Sequence, residues 1–224
     1  MRNPLYRLSP YLLICSSLIF LSISTTYSQV PSEEKINGLS FVATNDTVEQ
    51  QHVDPVKQLN ANWVAVMPFG FMERTDSPKL FYDNERQWYG ETSEGIEQCI
   101  DLMHQNDIQV MLKPQIWIGN GDFTGDIQMA TEEDWCDYQQ QYTAMMMLYA
   151  RLAERSGAAM LCIGTEMNSF VMQRPDYWRE LNLKIRSGYS GKPTFAENWE
   201  KYDQVPFWTG LDFIGVDGYF PICG

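Results

Sequence analysis

Carboxylates, carboxamides and aromatic rings collect in this chain just after its short apolar runs. Leu161-Cys-Ile-Gly-Thr165 leads into Glu166 with no turn signal between them, and Asn168 follows two residues later. Other runs end in residues of the same kind. Asn45 and Asp46 follow the first, and Phe69-Gly-Phe71, Phe81, Tyr82, Trp88 and Tyr89 follow the second. Lys113, Gln115, Trp117 and Asn120 follow the third; Glu197-Asn198-Trp199 and then Asp217 and Tyr219 follow the last two. Aromatic faces pack on the C–H faces of a pyranose ring, and Asn, Gln and Asp hydrogen-bond its hydroxyls. Cleaving a glycosidic bond takes a carboxylic acid that protonates the leaving oxygen and a second carboxylate on the other side. Glu166 is the candidate acid. A glutamate at a strand end also serves as a structural cap or ion-pair partner, so its type alone leaves both roles open.

The runs that must aim these groups are Leu39–Ala43, Trp63–Met67, Ile108–Leu112, Ala159–Ile163, Pro193–Ala196 and Leu211–Val216. Such near-continuous apolar runs suit strands buried on both faces, as in parallel sheets. Helical patterns lie between them. A short one covers 54–59. The next opens at Ser93 and places Ile96, Cys99, Ile100 and Met103 on one face before Asn106-Asp107 stops it. A long helix runs from Thr131, whose Thr-Glu-Glu-Asp start reads as a capping box, to Ser156, with Gly157 as its C-cap. Met145-Met-Met147 inside it reads as core filling beside Leu148 and Leu152. A fourth helix spans 177–185. Strand and helix alternating this way predict an α/β fold with a parallel sheet, whose chemistry sits at the strand C-termini.

Composition narrows the partners. The chain has 224 residues and a net charge of −13, a balance that repels nucleic acid and anionic membranes but not neutral substrates. The hydrophobic share of 44% supports a packed core and excludes a disordered acidic chain. Residues 1–28 have the three parts of a secretory leader: Arg2 and Arg7, an apolar stretch over 11–23, and Thr26-Tyr27-Ser28 before the cleavage point. The apolar stretch is short for a membrane span, which takes about 20 residues. The expected location is secreted or periplasmic; Cys15 follows the bulky Ile14, which gives a lipid-anchored form little support. Cys99, Cys136, Cys162 and Cys223 remain after the leader, without a metal-knuckle spacing and without a preferred disulfide pair. His52 and His104 are the only histidines, and neither stands near a second metal ligand, so zinc chemistry and a Ser-His-Asp triad lack support. No cofactor or metal is expected.

Ile163-Gly-Thr-Glu-Met-Asn168, Phe195-Ala-Glu-Asn-Trp199, Ile214-Gly-Val-Asp-Gly-Tyr-Phe-Pro221 and Lys113-Pro-Gln-Ile-Trp117 together resemble glycoside hydrolase family 113, a (β/α)8 TIM-barrel family of β-mannanases and related enzymes. The resemblance spans about 35–221. It implies a retaining mechanism with one catalytic glutamate after the fourth strand and the other after the seventh. Glu166 is then the general acid/base, and Tyr219 lies beside the nucleophile. Trp117, Asn168, Glu197, Asn198, Trp199 and Asp217 become candidate sugar ligands. Thr165 departs from the clan, which more often has Asn directly before this glutamate.

The expectation is therefore an incomplete (β/α)8 barrel over residues 29–224, with strands one to six of eight. The sixth run is followed directly by Pro221-Ile-Cys-Gly224, and a full barrel usually takes about 250 residues. Its function is expected to be hydrolysis of β-mannan or a related β-1,4-glycan by a secreted enzyme, with the nucleophile beyond residue 224 and this polypeptide inactive alone. The rivals are a non-catalytic carbohydrate-binding barrel, which the aromatic rim would serve equally, and a hydrolase holding a metal on Asp46, Glu166 and Asp217.

Overall fold

The computed structural model describes residues 35–221; the leader over 1–28 and Cys223 lie outside the described residues. Strands are β1 (Gly38–Phe41), β2 (Trp63–Val66), β3 (Phe69–Met72), β4 (Gln109–Leu112), β5 (Gln115–Ile118), β6 (Met160–Thr165), β7 (Lys192–Asn198) and β8 (Phe213–Asp217). Helices are α1 (Gln50–Gln58), α2 (Ser93–His104), α3 (Glu132–Ser156), α4 (Asn168–Gln173) and α5 (Pro175–Arg186).

The six apolar runs form one sheet in the order β1-β2-β4-β6-β7-β8, every neighbouring pair parallel. Sequential order follows from the connections: a helical crossover returns the chain to the next strand with one hand. The sheet curls. Leu39 and Ser40 from one edge strand and Val216 and Asp217 from the other line the same cavity of about 370 Å3 on its concave side. Among the described residues the ladder does not close between β1 and β8. The architecture is thus an α/β half-barrel.

The convex face carries the helices and the core. Trp178 of α5 is fully buried among the rings of Tyr142, Phe170, Phe195 and Phe207, at centroid separations of 4.9–5.7 Å. Helix α3 is bounded as its sequence dictates. The Thr131 side chain accepts from the Asp134 N–H at 3.1 Å, and Gly157 ends the helix at φ 73°, the left-handed conformation that favours glycine. Met145 and Met146 are buried, and so are Cys99 and Cys162, which with Cys136 are free thiols.

Several elements differ from the sequence expectation. Asp54-Pro55 looks like a helix start because Pro favours the first helical position. The helix begins a turn earlier, at Gln50, where the Glu49 N–H donates to Nδ1 of His52 at 2.9 Å. The weak fifth run is the longest strand, β7. Finally, Phe69–Met72 and Gln115–Ile118, expected as loops after Pro68 and Pro114, pair as a second parallel ribbon.

Candidate active site

Glu166 stands where β6 ends against β7. The register slips between Cys162 and Thr165, an irregularity of the kind that re-aims a side chain next to a site. The slip frees the Ile163 carbonyl, which accepts from the Tyr142 hydroxyl of α3 at 2.9 Å. Gly164 must be glycine: a Cβ there would lie 2.6 Å from the Phe195 ring and 2.7 Å from that of Trp178. Glu166 itself has φ 50°. That left-handed conformation costs a non-glycine residue about 1–2 kcal/mol, and such strain persists only where neighbours impose it. Here they do: the Glu166 N–H donates to the Ala196 carbonyl at 2.8 Å, and Oγ1 of Thr124 donates to the Glu166 carbonyl at 3.2 Å.

The carboxylate so placed is half-buried. Nδ2 of Asn198, the last residue of β7, donates to its Oε1 at 3.3 Å. Across the mouth of the curled sheet, Nζ of Lys113 donates to Oδ1 of Asp217 at 3.0 Å, a sheltered ion pair joining the ends of β4 and β8. Burial first, and then the Asp217 charge, raise the Glu166 pKa; the Asn198 amide and Lys113 oppose the rise. The net direction keeps a larger share of the carboxyl protonated near neutrality, the state a general acid needs.

Glu197 is a different kind of carboxylate. It is 0% exposed, and its Oε1 accepts from the Asn198 N–H at 2.9 Å while Oε2 is buried without a hydrogen-bond partner among the described residues. Burial pushes its pKa up to about 7, with the Asn198 N–H pulling it down and Glu166 and Asp217 adding to the rise. Glu197, expected as a sugar ligand, is thus fully buried next to Asn198. Alternation along β7 explains this, since Glu197 shares the parity of Phe195, which packs on the helices.

The remaining candidates are more dispersed. Asn168 opens α4 two residues past Glu166, and its Nδ2 is buried without a partner among the described residues. The Trp199 ring lies 5.5 Å from that of Phe220, beside the exposed Tyr219. Trp117 lines a separate cavity on β5. Asp46, Glu166 and Asp217 do not gather as metal ligands: among the described residues no group of three or more His, Cys, Asp or Glu could hold an ion. No helix among them is long and apolar enough to cross a membrane. Sequence reasoning placed Lys113 at a strand end but not against Asp217, and it missed Thr124 and Tyr142. These contacts join residues 21 to 104 positions apart, with no local signal.

The sequence profile of glycoside hydrolase family 113 matches residues 42–223. Among solved structures, the β-mannanase of this family from Alicyclobacillus acidocaldarius superposes with a TM-score of 0.74 at 27% identity, over 84% of this chain and 62% of that one. A second β-1,4-mannanase of the family superposes at 0.73 and 24% identity, over 84% and 63%. A comparison with curated protein sequences found no match. The chain spans less than two thirds of the length of the mannanases it superposes on. It belongs to glycoside hydrolase family 113.

Proposed function

We propose that this chain carries the acid/base half of a retaining glycoside hydrolase acting on β-mannan or a related β-1,4-glycan, with Glu166 as the general acid/base. One observation carries the reading: a strained, half-buried glutamate aimed by a bulged strand end, with its proton affinity raised by burial and by Asp217. Membership in the family supports it. The two mannanase structures support the choice of substrate.

Glu166 donates its proton to the leaving glycosidic oxygen and, once ionised, takes a proton from the attacking water. Asn198 fixes one carboxylate oxygen and leaves the other for the substrate. Lys113 holds Asp217 in its ion pair, which limits how far the Asp217 charge lifts Glu166. A retaining mechanism needs a second carboxylate about 5–5.5 Å away. Asp217 is committed to Lys113 and Glu197 is buried, so the reading places the nucleophile on a further strand beyond residue 224. The 224-residue polypeptide is then inactive alone. Residues 1–28 are read as a secretory leader and 29–224 as the partial barrel domain, with the sequence layout as support.

The test is a chimera in which residues after 221 are replaced by the portion of the Alicyclobacillus enzyme that this chain does not cover. The chimera should release reducing ends from β-1,4-mannan. Glu166→Gln should remove most of that turnover while sparing glycosylation on aryl glycosides, whose leaving group needs no proton. A folded chimera without turnover, or with turnover indifferent to Glu166, would sink the reading.

A further inference from the structure

The ladder between β6 and β7 breaks off at the residue that carries the candidate acid. The Glu166 N–H donates to the Ala196 carbonyl at 2.8 Å. In a parallel pair the next rung runs back to the carbonyl of that same residue, from the N–H two positions further along the partner strand. Here it would join the Asn198 N–H to the Glu166 carbonyl. The Asn198 N–H donates to Oε1 of Glu197 at 2.9 Å instead. The Glu166 carbonyl thereby loses its ladder partner, a costly state for a sheltered backbone group. Oγ1 of Thr124 takes the place of the missing donor at 3.2 Å, from a segment 42 positions earlier in the chain.

Thr124 is half-buried and opens a single 3-10 turn over Thr124–Asp126. The Asp126 N–H donates to the Phe123 carbonyl at 3.0 Å, and the Ile127 N–H donates to the Thr124 carbonyl at 3.2 Å. Gly125 is buried under the Phe123 ring, where a Cβ would fall 2.2 Å from a ring carbon. The segment is tied to the ribbon side at both ends. The Gly119 N–H donates to the Met72 carbonyl at 2.8 Å, and the Gln128 N–H donates to the Thr75 carbonyl at 3.0 Å. Ile127 and Met129 are buried. The hydroxyl is thus presented by a fixed frame, and its proton is spent on a backbone carbonyl.

We infer that Thr124 is a positioning residue for the proposed hydrolysis: its hydroxyl supplies the rung that β7 withholds, and so holds Glu166 in the left-handed backbone that sets its carboxyl beside the Asn198 amide. The inference rests on the reading of Glu166 as general acid/base. With the Glu166 N–H fixed on Ala196, a change in φ swings the Cα–Cβ bond and carries the carboxyl away from Nδ2 of Asn198. An extended Glu166 could reclaim the Asn198 N–H, and Glu197 would then lose its donor. Thr124 acts through the Glu166 backbone. A displacement of about 1 Å at a reacting group costs about a hundredfold in rate.

The test compares Thr124→Val, which removes the hydroxyl at nearly constant volume, with Thr124→Ser, which keeps it. In the chimera, Thr124→Val should lower kcat on β-1,4-mannan about a hundredfold with KM within about twofold, and Thr124→Ser should stay within about threefold of the parent. On a dinitrophenyl glycoside, whose leaving group needs no proton, the Thr124→Val loss in kcat/KM should shrink to about threefold or less. A general loosening of the site would lower both substrates alike. The 224-residue chain gives a readout independent of turnover. NMR titration of the Glu166 carboxyl, assigned through Glu166→Gln, should move toward the ordinary glutamate range in Thr124→Val and stay at the wild-type position in Thr124→Ser. Urea midpoints near wild type show that the variants fold, and Thr124→Ala takes the place of Thr124→Val if that variant does not. A Glu166-dependent chimera in which Thr124→Val keeps mannan kcat within about twofold, or loses both substrates equally, would overturn the positioning role and leave the hydrolase reading standing. So would an unmoved Glu166 titration in the folded variant. A folded but inactive chimera, with a Thr124→Val shift that Thr124→Ser lacks, would remove the hydrolase and keep Thr124 as the residue that sets Glu166.

Discussion

The Glu166 corner and the β3–β5 ribbon are built in opposite ways. At the corner, polar groups are pulled into the protein: a strained glutamate, a fully buried Glu197 and a sheltered Lys113–Asp217 pair sit over a packed aromatic core. On the ribbon, apolar rings are pushed out into water while the strands behind them pack normally. The corner stores backbone strain and a desolvation cost, and the second raises the proton affinity of Glu166. The ribbon leaves apolar area uncovered. Stability and function should therefore be coupled at the corner and separable on the ribbon.

The largest effect should come from the core under the corner. Trp178→Ala removes the ring against which Gly164 and Phe195 pack, and should cost about 3–5 kcal/mol in urea unfolding. A loss below about 1 kcal/mol would mean the corner does not depend on that core.

Next is the pH dependence set by Glu197. Its pKa rises on folding from 4.5 to about 7, so between those values the native state binds more protons than the unfolded one. Stability from this group is then greatest below pH 4.5 and is lost as the pH rises through 7. The limiting slope is about 1.4 kcal/mol per pH unit. Glu197→Gln should flatten that slope, and parallel curves for the two proteins would show that Glu197 ionises freely in the fold.

A smaller effect, of opposite sign, is expected at Glu166. Glu166→Gly removes the penalty of its left-handed backbone and should stabilise the chain by about 1 kcal/mol, offset in part by glycine's greater freedom when unfolded. Destabilisation would mean that the carboxylate's contacts outweigh the strain. The smallest effect belongs to the ribbon. Trp117→Ala should change stability by no more than about 0.5 kcal/mol, since the ring is already in water. A loss near that of Trp178→Ala would erase the contrast between the two regions.

Both regions were visible in the sequence to different depths. The ribbon's alternation is written in Phe69-Gly-Phe-Met72 and Gln115-Ile-Trp-Ile118, yet Pro68 and Pro114 read as strand ends. A proline lacks the N–H a ladder needs, but the ladder resumes one residue later, where the Gln115 N–H donates to the Pro68 carbonyl at 2.9 Å. At the corner, the run into Glu166 marked the candidate acid. Alternation from Phe195 sets Glu197 on the inner side and Asn198 on the outer, but nothing local told that the irregularity in β6 would bring Glu166 against Asn198.

The sequence by itself determined the strand–helix alternation, the caps of α3, the membership in the family and Glu166 as the residue to aim. These follow from local periodicity, from capping chemistry and from motifs in a fixed order, all carried by neighbours along the chain. The tertiary structure alone decided the left-handed backbone of Glu166, the burial of Glu197, the pairing of Lys113 with Asp217 and the aromatic cavity on the ribbon. Each depends on groups far apart in sequence meeting at a strand end, where the curl of the sheet rather than any local preference sets the distance and the dielectric.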